Sequence, residues 1–299
     1  MITVLGSANL DLIGTVSRIP KPGETVPGGT FRTAAGGKGA NQALAARRAG
    51  AEVKMFAAVG DDTFAAEALG ELRAGGVDLA NVPSVAATAT GIAMIFVDEA
   101  GENVIAILPG ANGTLDSAKA DAALAPLGEG DILMLQQEVP AACTDRALDL
   151  ARQKGVVSIL NTAPFLPTTP ASAKKAAIVI ANETEFALLC GGRTEPLDGL
   201  MADWVRETGN TIIVTLGPDG ARAATPEGAF SVPAMKVEPV DTVGAGDTFC
   251  GYLAAGLDAR LKLEDAMRRA AVAASLACLR PGAQPAIPAG DAVEAALRG

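Results

Sequence analysis

The sequence predicts an α/β protein, a largely parallel sheet covered by helices, and three observations carry that expectation. Short apolar runs alternate with Ala/Leu-rich helical stretches over most of the 299 residues. Several of those stretches end at glycine, which tolerates the left-handed conformation that closes a helix. A composition of 49% hydrophobic but only 3% aromatic residues supplies a large core filled by alanine and small aliphatics.

Strands are expected over residues 2–8, 53–59, 132–137, 156–161, 178–181 and 211–216, each a short run rich in Val, Ile and Leu. Helices are expected over 40–49, 64–74 and 144–154, followed by Gly50, Gly75 and Gly155. Two stretches break the rhythm. Residues 10–35 are dense in Pro, Gly and Thr, and residues 90–109 read as a β-hairpin turning at 99–102. They form either a small accessory sheet or mere surface excursions. Ala-rich segments at 246–257 and 263–279 read as two adjacent buried helices. With no internal repeat and no Ser/Pro-rich linker, residues 1–299 are expected to form a single domain.

Charge and composition exclude several function classes. The 24 Lys and Arg against 34 Asp and Glu give a net charge of -10, which repels nucleic-acid backbones and anionic membranes. The absence of histidine removes imidazole bases and His-ligated metals. Cys143, Cys190, Cys250 and Cys278 form no C-x-x-C pair and are expected as reduced, packed thiols in a cytoplasmic protein. The amino terminus lacks a basic leader, and no apolar run approaches the roughly 18 residues of a membrane span.

Asp241-Thr-Val-Gly-Ala-Gly-Asp247-Thr-Phe stands immediately before an apolar helix. The amides of Ala245, Gly246 and Asp247 can converge at that helix's positive end and hold an anion, with Asp247 as a base for an attacking hydroxyl. The other reading is a tight turn with Asp247 as N-cap. Gly36-Gly-Lys38-Gly-Ala-Asn41-Gln also leads into a helix and offers donors from Lys38 and Asn41, although it is no Walker motif; a flexible loop with a solvated lysine is the alternative. No G-x-G-x-x-G follows a strand, so a dinucleotide fingerprint is missing. Asn9, Asp11 and Glu138 follow expected strands, where ligands of open α/β sheets bind, and suit a polyhydroxy compound. In Asn182-Glu-Thr-Glu185, Glu183 and Glu185 either organise a hydrated Mg2+ or charge a first helical turn.

On these motifs the sequence resembles the ribokinase-like family of carbohydrate kinases nearly end to end. Residues 36–43 resemble its amino-terminal signature, 241–249 its carboxy-terminal one and 182–185 its magnesium motif, with further likeness at 101–105, 215–217 and 282–285. The resemblance implies a three-layer αβα sandwich with a β-sheet lid made by the two irregular stretches, which also joins a homodimer. It implies transfer of the γ-phosphoryl group of ATP to the 5-hydroxyl of ribose. Asp247 would be the base, with Gly244, Ala245 and Gly246 completing the anion hole. Sugar would meet Asn9, Asp11, Gly37, Lys38, Asn41, Glu138 and Asp247, and nucleotide Asn182, Thr215, Gly217, Gly220 and Gly246. Glu185 would organise Mg2+ through water. A monovalent cation, usually K+, would be held by Asp241 and by carbonyls of Val243, Ala277, Arg280, Gly282 and Ala286.

The sequence departs from that family at Ala271, where a polar residue often faces adenine, and around Glu138 in Leu135-Gln-Gln-Glu138-Val. Another pentose, a ketohexose or a nucleoside therefore stands as the alternative acceptor. A non-catalytic sugar or nucleotide sensor is the competing class; intact Asp247, Gly244, Gly246, Lys38 and Glu185 argue against it. An oxidoreductase is disfavoured by the missing dinucleotide fingerprint.

Overall fold

Side-chain alternation in the first strand, Ile2–Leu5, divides its residues between two cores: Ile2 and Val4 join one buried cluster and Leu5 the other. Ile132–Leu135 repeats the pattern, with Ile132 and Met134 on one face and Leu133 and Leu135 on the other. A sheet buried on both faces requires a helical layer on each side, and that is the architecture of this computed structural model, which describes residues 1–298.

Among the described residues the central sheet has nine strands. Their spatial order is Gly228–Val232, Ala221–Thr225, Thr211–Thr215, Ile178–Asn182, Val157–Asn161, Ile132–Leu135, Ile2–Leu5, Val53–Phe56 and Asp78–Asn81. Pairing is parallel except where Thr211–Thr215, Ala221–Thr225 and Gly228–Val232 turn back on one another. Strand order reverses between Ile2–Leu5 and Ile132–Leu135, and a crevice at the carboxyl edge is expected there.

A second sheet runs Gly28–Gly36, Asn9–Val16, Gly91–Val97, Asn103–Leu108. It is built from the two irregular stretches, so the accessory-sheet reading holds over the surface-excursion one. The hairpin turn is closed by Asp98, whose carboxylate accepts from the amides of Ala100 and Glu102. Strand Asn103–Leu108 is exposed along its whole length.

Several expected elements are shorter or divided. The strand expected over 2–8 ends at Leu5, because Gly6 and Ser7 turn against the helix Lys38–Arg48. The run 53–59 divides into Val53–Phe56 and Val59–Gly60, the latter pairing with Ser84–Val85 in a separate ribbon. The helix expected over 64–74 is interrupted at Leu69. The carboxy-terminal helices are Ala245–Asp258 and Leu263–Ala277, packed together as expected.

Helices Lys38–Arg48 and Ala245–Asp258 approach unusually closely. A Cβ on Gly251 would stand 2.6 Å from the Gln42 carbonyl and 2.5 Å from the Ala45 methyl. This contact sets Asp247, one turn earlier, beside Asn41 and Gln42, and joins the two glycine-rich motifs although about 200 residues separate them in sequence.

Candidate active site

Asp247 lies in the first turn of Ala245–Asp258 and is only 7% exposed. The N-cap of that helix is Gly244, at φ 76°, rather than Asp247, so the capping role considered from sequence does not apply. Gly244 packs so closely on Ala283 that a Cβ would come within 2.9 Å of its Cα. Among the described residues the amides of Gly246 and Asp247 have no backbone acceptor, while Ala245 donates to the Thr242 carbonyl at 3.3 Å. Two free amides at a helix's positive end have the chemistry to receive an anion.

The Asp247 carboxylate takes two side-chain hydrogen bonds. Asn41 Nδ2 donates to Oδ2 at 2.9 Å and Gln42 Nε2 to Oδ1 at 3.0 Å. Its charge holds the Lys38 ammonium above its ordinary pKa, against the opposing effect of burial. Burial pushes the neighbouring Cys250 thiol well above its ordinary value, with Asp247 adding to the effect, which leaves Cys250 a packing residue.

Glu138 spans the point where strand order reverses. Its Oε2 accepts from Ser7 Oγ at 2.5 Å and from the Lys38 amide at 2.9 Å, and so fastens the turn at Gly37, the N-cap of Lys38–Arg48. Asp11 sits in a paired strand of the small sheet, and its carboxylate takes no side-chain hydrogen bond among the described residues. Burial, then Glu138 and Asp247, push its carboxyl up to about 6, with Arg32 and Lys38 pulling the other way. The buried Asn9 side chain instead accepts from Asn112 Nδ2 at 2.7 Å.

Two cavities meet at this point. The inner one, about 160 Å³, is walled by Lys38, Asn161, Asn182, Glu185, Gly244 and Asp247 among others. The outer one, about 660 Å³, is lined by Gly217, Gly220, Met235, Val237, Phe249 and Ala271 among others. Thr215 and Gly246 border both. Of the residues assigned to sugar, Lys38 and Asp247 line the inner cavity. Asn41 and Glu138 are bonded directly to them, and Asp11 is coupled to them by charge. Asn182 belongs to the inner cavity, while Thr215, Gly217, Gly220 and Gly246 line the outer one.

Asn182 and Glu185 form a capping box: the Glu185 amide donates to Asn182 Oδ1 at 2.8 Å and the Asn182 amide to Glu185 Oε2 at 3.1 Å. Thr162 Oγ1 also donates to that Oε2, at 2.8 Å, which leaves Oε1 without a partner. Glu183 faces a different groove with Arg193 and Asp219 and stands apart from Glu185.

The segments assigned to a monovalent cation are also brought together. Asp241 Oδ1 accepts from the Val243 amide at 3.0 Å and Oδ2 from the Gly282 amide at 2.8 Å. The carbonyls of Val243, Arg280, Gly282 and Ala286 accept no hydrogen bond among the described residues, while that of Ala277 accepts from the Arg280 amide at 3.4 Å.

The sequence reading missed Gln42, Gln136 and Gln284, although each lay inside a quoted motif. It also missed Ser7, Asn112 and Asn161, which hold Glu138, Asn9 and Gln42. Nothing in the pattern marked Met235 and Val237 as cavity walls.

Comparison with known proteins accords with this geometry. Residues 1–290 match the family model described as pfkB family carbohydrate kinase. The chain is 37% identical to a ribokinase of Schizosaccharomyces pombe, over 96% of this chain and 94% of the relative. It is 36% identical to a deoxyribokinase of Salmonella typhi, over 96% and 95%. The solved structure of Arabidopsis thaliana ribokinase complexed with ribose and ATP superposes with a TM-score of 0.89 at 29% identity, covering 100% of this chain and 98% of that one.

Proposed function

We infer the activity from one premise: the chain belongs to the pfkB family of carbohydrate kinases. It is an ATP-dependent carbohydrate kinase that transfers the γ-phosphoryl group to the 5-hydroxyl of ribose. The observation that carries this reading is the pairing of Asp247 with the free amides of Gly246 and Asp247 where a charged inner cavity meets an apolar outer one.

The sugar enters the inner cavity, held by Lys38, Asn41, Asp11 and Glu138, with Gly37 and Asn9 beside them. Asp247 takes the proton of the attacking hydroxyl, and the amide pair with Gly244 and Ala245 at the helix's positive end stabilises the charge that develops on the phosphoryl group. The adenine half of ATP occupies the outer cavity, against Gly217, Gly220 and Ala271, with Thr215 and Asn182 nearer the phosphates. Polar and charged side chains bind the hydroxylated acceptor, while backbone and apolar surface receive the nucleotide.

Mg2+ fits at Glu185, whose Oε1 is unpartnered and can face a metal-bound water. Among the described residues no cluster of three or more acidic, Cys or His side chains could cage a metal, so such an ion would depend on phosphate oxygens and water. It would neutralise phosphate charge during transfer. K+ fits between Asp241 and the unpaired carbonyls of Val243, Arg280, Gly282 and Ala286, with Ala277 adjacent. There it would add fixed positive charge to an acidic protein.

Residues 1–299 act as one domain, with the small sheet as a lid that excludes water during transfer. Its exposed Phe31, Met94, Ile105 and Leu108 suit pairing with a second copy of the chain. No helix among the described residues is long and apolar enough to cross a membrane, and the four free cysteines fit a reducing, cytoplasmic setting.

The near-equal identity to a deoxyribokinase supports a second reading, in which 2-deoxyribose is the preferred acceptor. ATP consumption with Mg2+ would be followed with ribose, deoxyribose, fructose and adenosine, in K+ and with a large organic cation in its place. Ribose turnover with the highest kcat/KM, rising with K+, is expected. A higher kcat/KM for deoxyribose would move the substrate, and binding without turnover with every acceptor would overturn the kinase reading.

A further inference from the structure

Three glutamines are buried to within 1% of full enclosure in a core dominated by alanines and aliphatics: Gln42, Gln136 and Gln284. Burying an amide side chain is costly unless it is hydrogen-bonded, so their arrangement has to be accounted for. None of them lines the inner cavity. All three lie on two chains of hydrogen bonds that end at the same carboxylate.

On one chain, Gln136 Nε2 donates to Gln42 Oε1 at 2.7 Å, and Gln42 Nε2 donates to Asp247 Oδ1 at 3.0 Å and to Asn161 Oδ1 at 3.2 Å. On the other, Gln284 Nε2 donates to Asn41 Oδ1 at 3.1 Å, and Asn41 Nδ2 donates to Asp247 Oδ2 at 2.9 Å. The polarity of both is fixed. An ionised carboxylate only accepts, so Gln42 and Asn41 must each present nitrogen to it and oxygen to the glutamine behind. Flipping Gln42 would set its carbonyl against both Asp247 and Asn161.

We propose that Gln42, oriented by Gln136, is a positioning residue for phosphoryl transfer, holding the Asp247 carboxylate aimed at the acceptor hydroxyl, while Gln284 does the same through Asn41. The role rests on the kinase reading and deepens it. Asn41 borders the sugar, whereas Gln42 lies behind the cavity wall, bonded to Asp247, Gln136 and Asn161, so its effect falls on the chemical step rather than on direct contact with the sugar. Hydrogen bonds to a charged group are the strong ones in a protein interior, and the aligned amide behind each donor reinforces it.

The test is the pH dependence of kcat at saturating ribose and ATP for wild type, Gln42→Met, Gln136→Met and the double variant. Charged or titratable groups facing Asp247 are Lys38 and Cys250, with Asp11, Glu138 and Glu185 nearby, and none of them is altered. Gln42→Met is expected to lower kcat roughly tenfold to a hundredfold, from the strength of a charge-assisted bond, with the ribose KM little changed. The acid limb of its profile should move to higher pH, because the anion loses a donor. Gln136→Met should give a smaller change in the same direction, and the double variant should be no worse than Gln42→Met, because Gln136 acts through Gln42.

Gln42→Glu keeps the shape and sets a second carboxylate beside Asp247. It should move the acid limb further and serves if Gln42→Met fails to fold. An unmoved acid limb in every variant that folds, or a rise in ribose KM with kcat unchanged, overturns the positioning role while leaving the kinase intact. Absence of sugar-dependent ATP consumption by the wild-type chain overturns both.

Discussion

The two cavities that meet at Gly246 are built on opposite principles. The inner one is walled by charged and amide side chains, and four carboxylates, Asp11, Glu138, Glu185 and Asp247, stand around Lys38. The outer one is lined by glycine backbone and by Met235, Val237, Phe249 and Ala271. Directional groups lose function abruptly when one atom changes, whereas apolar surface loses affinity gradually, with area. The inner cavity should therefore answer substitution in kcat and the outer one in the KM for ATP.

Asp247→Asn tests the steep side and has the largest expected effect. It removes the base while preserving shape, so kcat for ribose should fall roughly a hundredfold to ten-thousandfold with a modest change in either KM. Undiminished turnover would remove Asp247 from the chemistry and with it the distinction between the cavities.

Gly244→Ala strikes the boundary. The left-handed φ of 76° and the 2.9 Å approach to Ala283 leave no room for a methyl group. Strain on the order of 1–3 kcal/mol would displace the two free amides and lower kcat/KM for ATP roughly 5- to 150-fold. Both kcat and the ATP KM should change, because this turn serves both cavities, and a change confined to the ATP KM would place the anion site wholly on the nucleotide side.

The same contrast decides what the sequence made legible. Asp247, Lys38, Glu138 and Asp11 stood out because a charge or a glycine-rich turn has few reasons to occur at the carboxyl edge of a parallel sheet. The alternation of strands and helices was legible for the same local reason: short apolar runs and glycine stops are written within a dozen residues. Gln42 and Gln284 carried no such mark, since an amide reads as an ordinary polar residue until its partner is known, and their partners lie 205 and 243 positions away. Ala234, Met235, Lys236, Val237 and Pro239 wall the outer cavity as irregular chain, which no periodicity announces. The alternative that made Asp247 an N-cap fails because the left-handed Gly244, packed on Ala283, begins the helix three residues earlier.

Ala271→Phe probes the gradual side. Ala271 borders the outer cavity on the buried helix Leu263–Ala277, and a ring there competes with the nucleotide for space. Overpacking of this kind costs about 1–3 kcal/mol, so the ATP KM should rise roughly tenfold while the ribose KM stays within about twofold. A matching rise in ribose KM, measured by titrating each substrate against a saturating partner, would show that the cavities are mechanically one.

Asp11 gives the smallest effect and the finest separation, because it shows the inner cavity giving up stability for binding. Its carboxyl is raised to about 6 from an ordinary 3.8, chiefly by burial and then by Glu138 and Asp247. A group raised in this way ionises less readily in the folded chain than in the unfolded one. Above pH 6 the ligand-free protein is therefore held below the stability it would have with a neutral side chain, and it recovers as pH falls from about 6 toward 4. Asp11→Asn should melt a few degrees above wild type at pH 8, with the gap closing by pH 4. Saturating ribose should then reverse the order, since wild type keeps the acceptor for sugar hydroxyls and gains more from the ligand. Thermal melts at both pH values, with and without ribose, check this directly. A variant no more stable than wild type at pH 8 would mean that Arg32 and Lys38 already neutralise the site, and that the charged cavity carries no intrinsic strain for the sugar to relieve.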